Sequence, residues 1–406
     1  MEVSTQRTAR PHARAAASIV RRQSAGIVTT AFDSAAIREL HLTVTPLPEE
    51  KPAETVRRLA ELLRAEKAVI ARAEVFGSLD VCAQMTDAFK EAFGAWPVTF
   101  VEGRDCAGGV LAGMHVLAIG GTTVGTVMLD GKPVGRMFRD ATTRHLLIGD
   151  LRPSEPKTPR PVQTRQVFER LESVLKAARM GMSNVARTWF FLDDLLSWYG
   201  LFNEVRTRFF REQGMFDGLV PASTGVSGRN VSGSAAAVGA WAVEPLNGGA
   251  FPVCEVASPL QGPAPAYGSS FSRAVEMTTP ELRRLMISGT ASIEPDGRSV
   301  FQGDTAAQID YTMQVVEGIL RARGMGFGDV SRATAYIKHP ADARLFAGWM
   351  ERHGVKGWPV FCVEADICRE DLLFEIELDA LALNGKEGKE PAGPIGQMGP
   401  RESAAV

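Results

Sequence analysis

Three related sheet-and-helix lobes of an α+β fold, set around a pseudo-threefold axis, are what this sequence predicts. Three observations carry the prediction. Gln163 to Arg187 and Gln308 to Arg332 repeat at a constant offset of 145, with MGMSNV in one copy and MGFGDV in the other. Each copy places a helical stretch before that turn and an arginine-bearing strand after it (ARTWFFL, SRATAYI). Residues 69–119 carry a shortened strand–helix–strand–strand order without a second helix, as in a degenerate copy. The expected division is a degenerate first lobe at 39–142, full lobes at 143–250 and 268–383, and a linker at 251–267, with clefts where lobes meet.

The elements follow from periodicity. His41–Thr45 reads as a strand, and Thr55 to Ile70 spaces Val56, Leu59, Leu62 and Leu63 as an amphipathic helix does. A strand at 69–76, a helix at 79–93 and strands at 96–102 and 110–119 come next. The Asp130-Gly131 pair between 124–129 and 133–136 marks a hairpin. The second lobe reads as a strand from His145, helices at 163–178 and 195–213, a strand at 185–192 and a closing strand at 235–243. In the third, a helix over about 341–352 leads to Trp358-Pro359 and the closing strand. Residues 1–38, rich in Arg, Ser and Ala, suit a transit peptide or a disordered basic leader, and we read them as disordered. The tail at 384–406 has little to bury and reads the same way.

The closing strand sits in the stretch Cys362 to Ala382. From Phe374 it alternates at period two, so Phe374, Ile376 and Leu378 share one face while Glu375 and Glu377 share the other. A carboxylate on a strand beside a cleft is a candidate general acid or base. The same pattern also suits a solvated sheet face. The matching segments AVGAWAV and VLAGMHV carry no acid in mid-strand, so one cleft of three would hold this carboxylate. Arg187, Arg206, Arg273 and Arg332 stand where they could bind anions, surface ion pairs being the alternative. On a helix, Arg206 would lie beside Phe202 and Phe209 and reach a cleft with its head. Ser223, Thr224, Gly225 and Gly228 form a loop whose N–H groups can approach a carboxylate or oxyanion. It has no Walker lysine.

Composition narrows the function classes. A net charge of -2 argues against nucleic acid and against electrostatic membrane binding, and no apolar run approaches the ~18 residues of a span. Five cysteines without CxxC spacing fit a reducing, cytoplasmic setting, and six scattered histidines imply no metal.

The ending DICREDLLFEIE, the loop ASTGV and the RTW strand are together similar to the chorismatases, within the Rid (reactive intermediate deaminase, YjgF-like) superfamily. Small trimeric members of that superfamily also end in an EIEA-type strand. The resemblance covers about 145–382 and implies a Rid-like trimer contained in one chain. It further implies cofactor-free hydrolysis of the enol ether of chorismate, giving pyruvate and a cyclohexadiene or benzoate. By it, Glu375 donates a proton to the enolpyruvyl methylene, and Cys368 is a pocket residue influencing the product. Arg206 stands 18 residues before Thr224, the chorismatase spacing, and Tyr267, Arg273 and Tyr336 match pocket positions. The departures are RTWFF in place of RTWNY, VSGRN after Gly225, and PASTG and PVFC where a Rid PARS arginine would stand. A Rid-type enamine or imine hydrolase and a non-catalytic ligand-binding protein are the alternatives. The expected partner is a small carboxylate, on a monomer or small homo-oligomer.

Overall fold

The computed structural model describes residues 16–385, which form three six-stranded sheets with helices packed on them. In the first lobe β1 (Ser18–Ser24), β2 (Ile27–Asp33) and β3 (Arg38–Val44) precede helix α1 (Pro52–Glu66). Strand β4 (Val69–Gly77), α2 (Cys82–Phe93), β5 (Thr99–Glu102) and β6 (Leu111–Gly120) follow. The second lobe runs β7 (Gly125–Leu129), β8 (Lys132–Arg139), β9 (Thr143–Leu151), α3 (Arg160–Ala177) and β10 (Val185–Leu192). It closes with α4 (Tyr199–Glu212), β11 (Ala222–Ser227) and β12 (Ala236–Pro245). The third repeats the plan as β13 (Val253–Val256), β14 (Ala274–Thr278), β15 (Leu282–Ala291), α5 (Thr305–Ala322) and β16 (Val330–Ile337). Helix α6 (Ala343–Arg352), β17 (Val360–Glu364) and β18 (Phe374–Leu383) complete it.

Strand order is the same in all three: β1-β2-β3-β6-β4-β5, β7-β8-β9-β12-β10-β11 and β13-β14-β15-β18-β16-β17. In each, one parallel pair joined through a helix (β4/β5, β10/β11, β16/β17) completes an otherwise antiparallel sheet. Helices cover one face of every sheet over separate apolar cores. The opposite faces meet in a shared core, where Phe76, Phe191 and Tyr336 make edge contacts at equivalent positions.

Four expectations need correction. Residues 18–33, assigned to a disordered leader, form the β1–β2 hairpin. It was hidden because β1 is an exposed edge strand rich in Arg and Gln, with no apolar alternation to read. The first lobe has the full set of elements, including α2 as its second helix, because the unit begins at residue 18 and not at 69. Residues 125–139, assigned to that lobe, pair as β7 and β8 in the second sheet, and 253–256, assigned to a linker, is the first strand of the third. Expected disorder before residue 16 and after 385 lies outside the described residues. Among the described residues no helix is long and apolar enough to cross a membrane.

Candidate active site between the second and third lobes

Strand β18 is buried on both faces, which removes the solvated-face reading of its acids. Phe374, Ile376 and Leu378 enter the helix-side core, and Glu375, Glu377 and Asp379 face the other lobes. Pairing fixes the equivalence of the lobes: Tyr336 faces Glu375, Phe191 faces Ala237 and Phe76 faces Gly113. The acid thus occurs at one of three matched positions.

Glu375 lines a cavity of about 180 Å³ between the second and third lobes. It is 4% exposed, and none of the hydrogen bonds among the described residues ends on it. Burial first, then the charge of Glu377, pushes its carboxyl up to about 8, against the pull of Arg187 and Arg273. It is therefore protonated at neutral pH. The strand opposite makes room for it: a bulge in β15 brings Gly289 so close that an added Cβ would lie 2.1 Å from Glu375 Oε1.

Helix α4 supplies the facing wall. Tyr199, Asn203 and Arg206 fall at i, i+4 and i+7 and line the cavity together. Arg206 donates to Asn203 Oδ1 at 2.6 Å and lies 5.2 Å from the Phe202 ring and 5.9 Å from that of Phe271. Arg273 reaches the cavity from the segment before β14 and donates through Nε to the Gly262 carbonyl at 2.9 Å. Arg369 donates to the Gly297 carbonyl at 2.7 Å. Cys368 lies beside Glu375, its thiol pushed up to about 12 by burial and then by Glu375, so it is a neutral wall group and not a thiolate. Among the described lining residues Glu375 is the one acid, against three guanidiniums.

Of the residues singled out from sequence, Glu375, Arg206, Ser223, Gly225, Arg273 and Cys368 line this cavity. Tyr267 ends a short 3-10 helix, Ala264–Tyr267. Thr224 and Tyr336 lie behind the cavity, which corrects their assignment to its wall. Thr224 Oγ1 donates to Glu377 Oε2 at 2.6 Å and accepts from Arg187 and from the Gly289 N–H. Tyr336 is fully buried, with its hydroxyl 3.4 Å from Glu377 Oε1. Arg187 and Arg332, considered as anion binders, serve internal carboxylates instead. Arg187 meets Glu377 at 2.5 Å, and Arg332 holds Glu377 and Asp379 at 2.8 Å each. Arg72, at the matching position of the first lobe, pairs with Glu74 and stacks over Trp189 at 3.3 Å. Three arginines and three acids thus balance around the axis, and Arg332 and Arg187 hold Glu377 far below the usual carboxylate range although burial opposes it. Sequence reasoning missed Tyr199, Asn203, Phe271, Gly289 and Arg369. The first two share a helix face with Arg206, and Arg369 adjoins Cys368. Gly289 gave no signal, because its bulge is set by the partner strand.

Residues 262–382 match the family described as Endoribonuclease L-PSP. A RutC family protein of Pyrococcus horikoshii is 30% identical over 94 residues, covering 23% of this chain and 75% of its own length. Among solved structures, a chorismatase aligns at a TM-score of 0.58 with 18% identity, over 77% of this chain and 93% of its own, which shows a common fold. The E. coli YjgF product aligns over 31% of this chain and 97% of its own, with 22% identity and a TM-score of 0.26. By the RutC relative and the match over 262–382, the chain belongs to the RutC family of the Rid superfamily, and it is chorismatase-like in its fold.

Proposed function

We propose that the protein is a cofactor-free hydrolase of a small unsaturated carboxylate, with enol-ether cleavage of chorismate as the reaction. The observation that carries this reading is a protonated, desolvated carboxyl at Glu375 in a cavity lined by Arg206, Arg273 and Arg369. Guanidiniums select a substrate with carboxylate charge and orient it by paired hydrogen bonds. A neutral carboxyl can then give up its proton when an electron-rich C=C is brought to it, which a surface glutamate cannot do at pH 7.

In the proposed cycle the Glu375 proton adds to the enolpyruvyl methylene carbon, turning CH₂ into CH₃ and leaving an oxocarbenium ion beside the new Glu375 carboxylate. Water adds to the cationic carbon and returns a proton to Glu375. The resulting hemiketal breaks its bond to the ring oxygen, releasing pyruvate and the ring alcohol. The net change is consumption of one water. The oxocarbenium forms next to an anion, so the acid also stabilises the charge that its own proton creates.

The family match over 262–382 favours a second reading, hydrolysis of an enamine or imine by the same carboxyl. Incubation with chorismate and enzymatic detection of pyruvate separates the two. Pyruvate released at a rate proportional to enzyme supports the first. No pyruvate from chorismate, with ammonia and pyruvate released from enzymatically generated 2-aminoacrylate faster than in the absence of the protein, supports the second.

A further inference from the structure

The cleft that holds Glu375 has an open counterpart at the interface of the first and second lobes. Strand pairing fixes the match. Thr224 of β11 faces Trp189, and Thr99 of β5 faces Glu74, the position that Trp189 takes in the second lobe. The N–H of Gly289 donates to Thr224 Oγ1 at 3.1 Å, and that of Asp150 donates to Thr99 Oγ1 at 2.9 Å. Both donors sit at a bulge, in β15 and β9 respectively. On the helix side, Cys82, Thr86 and Phe89 of α2 line the counterpart at the same i, i+4, i+7 spacing as Tyr199, Asn203 and Arg206. The third interface is filled, since a Cβ on Gly113 would lie 2.6 Å from the Phe361 ring.

The lining of this second cleft, about 870 Å³ in volume, has been exchanged. In the lining Arg206 is replaced by Phe89, Gly225 by Phe100 and Gly289 by Asp150, while Ala237, at the register position of Glu375, is buried in the shared core behind it. Trp96 and Phe100 form an apolar wall, with Arg152, Lys90 and Lys132 also among the lining residues. Two features point to a ligand. Trp96 is 7% exposed, yet its indole N–H has no hydrogen-bond partner among the described residues. Asp150 holds a left-handed backbone with φ 49° and places an acid beside Arg152 at 2.7 Å. Burial pushes that acid up to about 6 against the pull of Arg152, which pairs with it.

We propose that the cleft between the first and second lobes is a second small-molecule site, built for an aromatic carboxylate. The ring takes the Trp96–Phe100 wall, the carboxylate takes Arg152 and Lys132, and a polar ring substituent takes the indole N–H. This site does not depend on the reaction assigned to Glu375.

The test uses the full chain and 4-fluorobenzoate, followed by fluorine NMR titration, with 4-iodobenzoate soaked into crystals to place the iodine by anomalous scattering. The expected result is iodine density beside Trp96. An Arg152→Gln/Lys132→Gln variant should lose ~10-fold or more in affinity at that site, as for a lost charged hydrogen bond. Arg206→Ala should leave that affinity unchanged. Trp96→Phe, which keeps the ring and removes the N–H, should weaken 4-fluoro-3-hydroxybenzoate more than 4-fluorobenzoate. Iodine confined to the Glu375 cleft or absent from both, binding insensitive to Arg152 and Lys132, or benzylamine binding beside Trp96 as tightly as the carboxylates would each overturn the proposal.

Discussion

Replacing Glu375 with Gln keeps the shape of the side chain and removes its titrating proton, and two independent effects should follow. The first is on rate. If the carboxyl delivers the proton, turnover falls by ~10²–10⁴-fold, the range for general acid catalysis. Wild-type kcat/KM should hold across neutral pH and fall as pH rises through about 8, where Glu375 ionises. The second effect is on stability. The folded carboxyl titrates near 8 while an unfolded one titrates near 4.5, so the native state holds an extra proton between those values. A group that binds more protons folded than unfolded loses stability as pH rises, so wild-type stability should fall from pH 4.5 to 8. At ~1.4 kcal/mol per pH unit the ceiling is about 5 kcal/mol, reduced by any water that enters with ionisation. Glu375→Gln has no such loss and should gain on the wild type as pH is raised from 5 to 9. The assays are pyruvate release coupled to NADH oxidation, and urea unfolding at each pH. A variant within a few-fold of wild-type turnover would refute the catalytic role. A stability difference that stays flat with pH would refute the desolvated carboxyl.

Other substitutions test the parts around it. Gly289→Ala drives a methyl into Glu375 Oε1, so activity should drop by at least ~10-fold while circular dichroism stays native. Arg206→Ala should raise KM, and the loss in kcat/KM should correspond to ~1.5–3 kcal/mol, as for a hydrogen bond to a charged group. Glu377→Gln leaves Arg187 and Arg332 facing each other with one counter-charge fewer. It should destabilise the chain by ~3–5 kcal/mol in denaturant melts, the cost of breaking a buried pair from one side.

Much of this architecture was legible in the sequence, and the reasons for the gaps are physical. The offset of 145 works because α3 and α5 have the same length, 18 residues, and lead to the same turn before the arginine strand. The first lobe was under-read because β1 is polar and β2 is rich in threonine, so neither presents the alternation that betrays a strand. Period two placed Glu375 opposite Phe374 and Ile376. Period alone could not distinguish Glu375 from Glu377, two residues apart on one face. Their environments differ through partners on remote strands: Arg187 from β10, Thr224 from β11 and Arg332 from β16. Tyr336 and Thr224 were misplaced for the same reason, since a one-strand shift in a three-sheet core turns a cavity wall into a support behind it.

That support explains how a neutral acid can persist so close to a charged one. Glu377 takes two guanidiniums, an indole N–H and the hydroxyls of Thr224 and Tyr336, which saturate its oxygens. Arg332 is turned toward Glu377 and Asp379, and Arg187 toward Glu377, so neither donates to Glu375. With neither guanidinium bonded to Glu375, burial and the negative charge of Glu377 together favour the protonated form. At the matched position of the second lobe Gly239 replaces Glu377 and Ala237 replaces Glu375, so the ion cluster needs one copy of the pair, not three. The balance of three arginines against three acids is thus met from unequal contributions by the three lobes. That inequality frees the remaining interfaces to fill, as around Phe361, or to change their lining, as around Trp96.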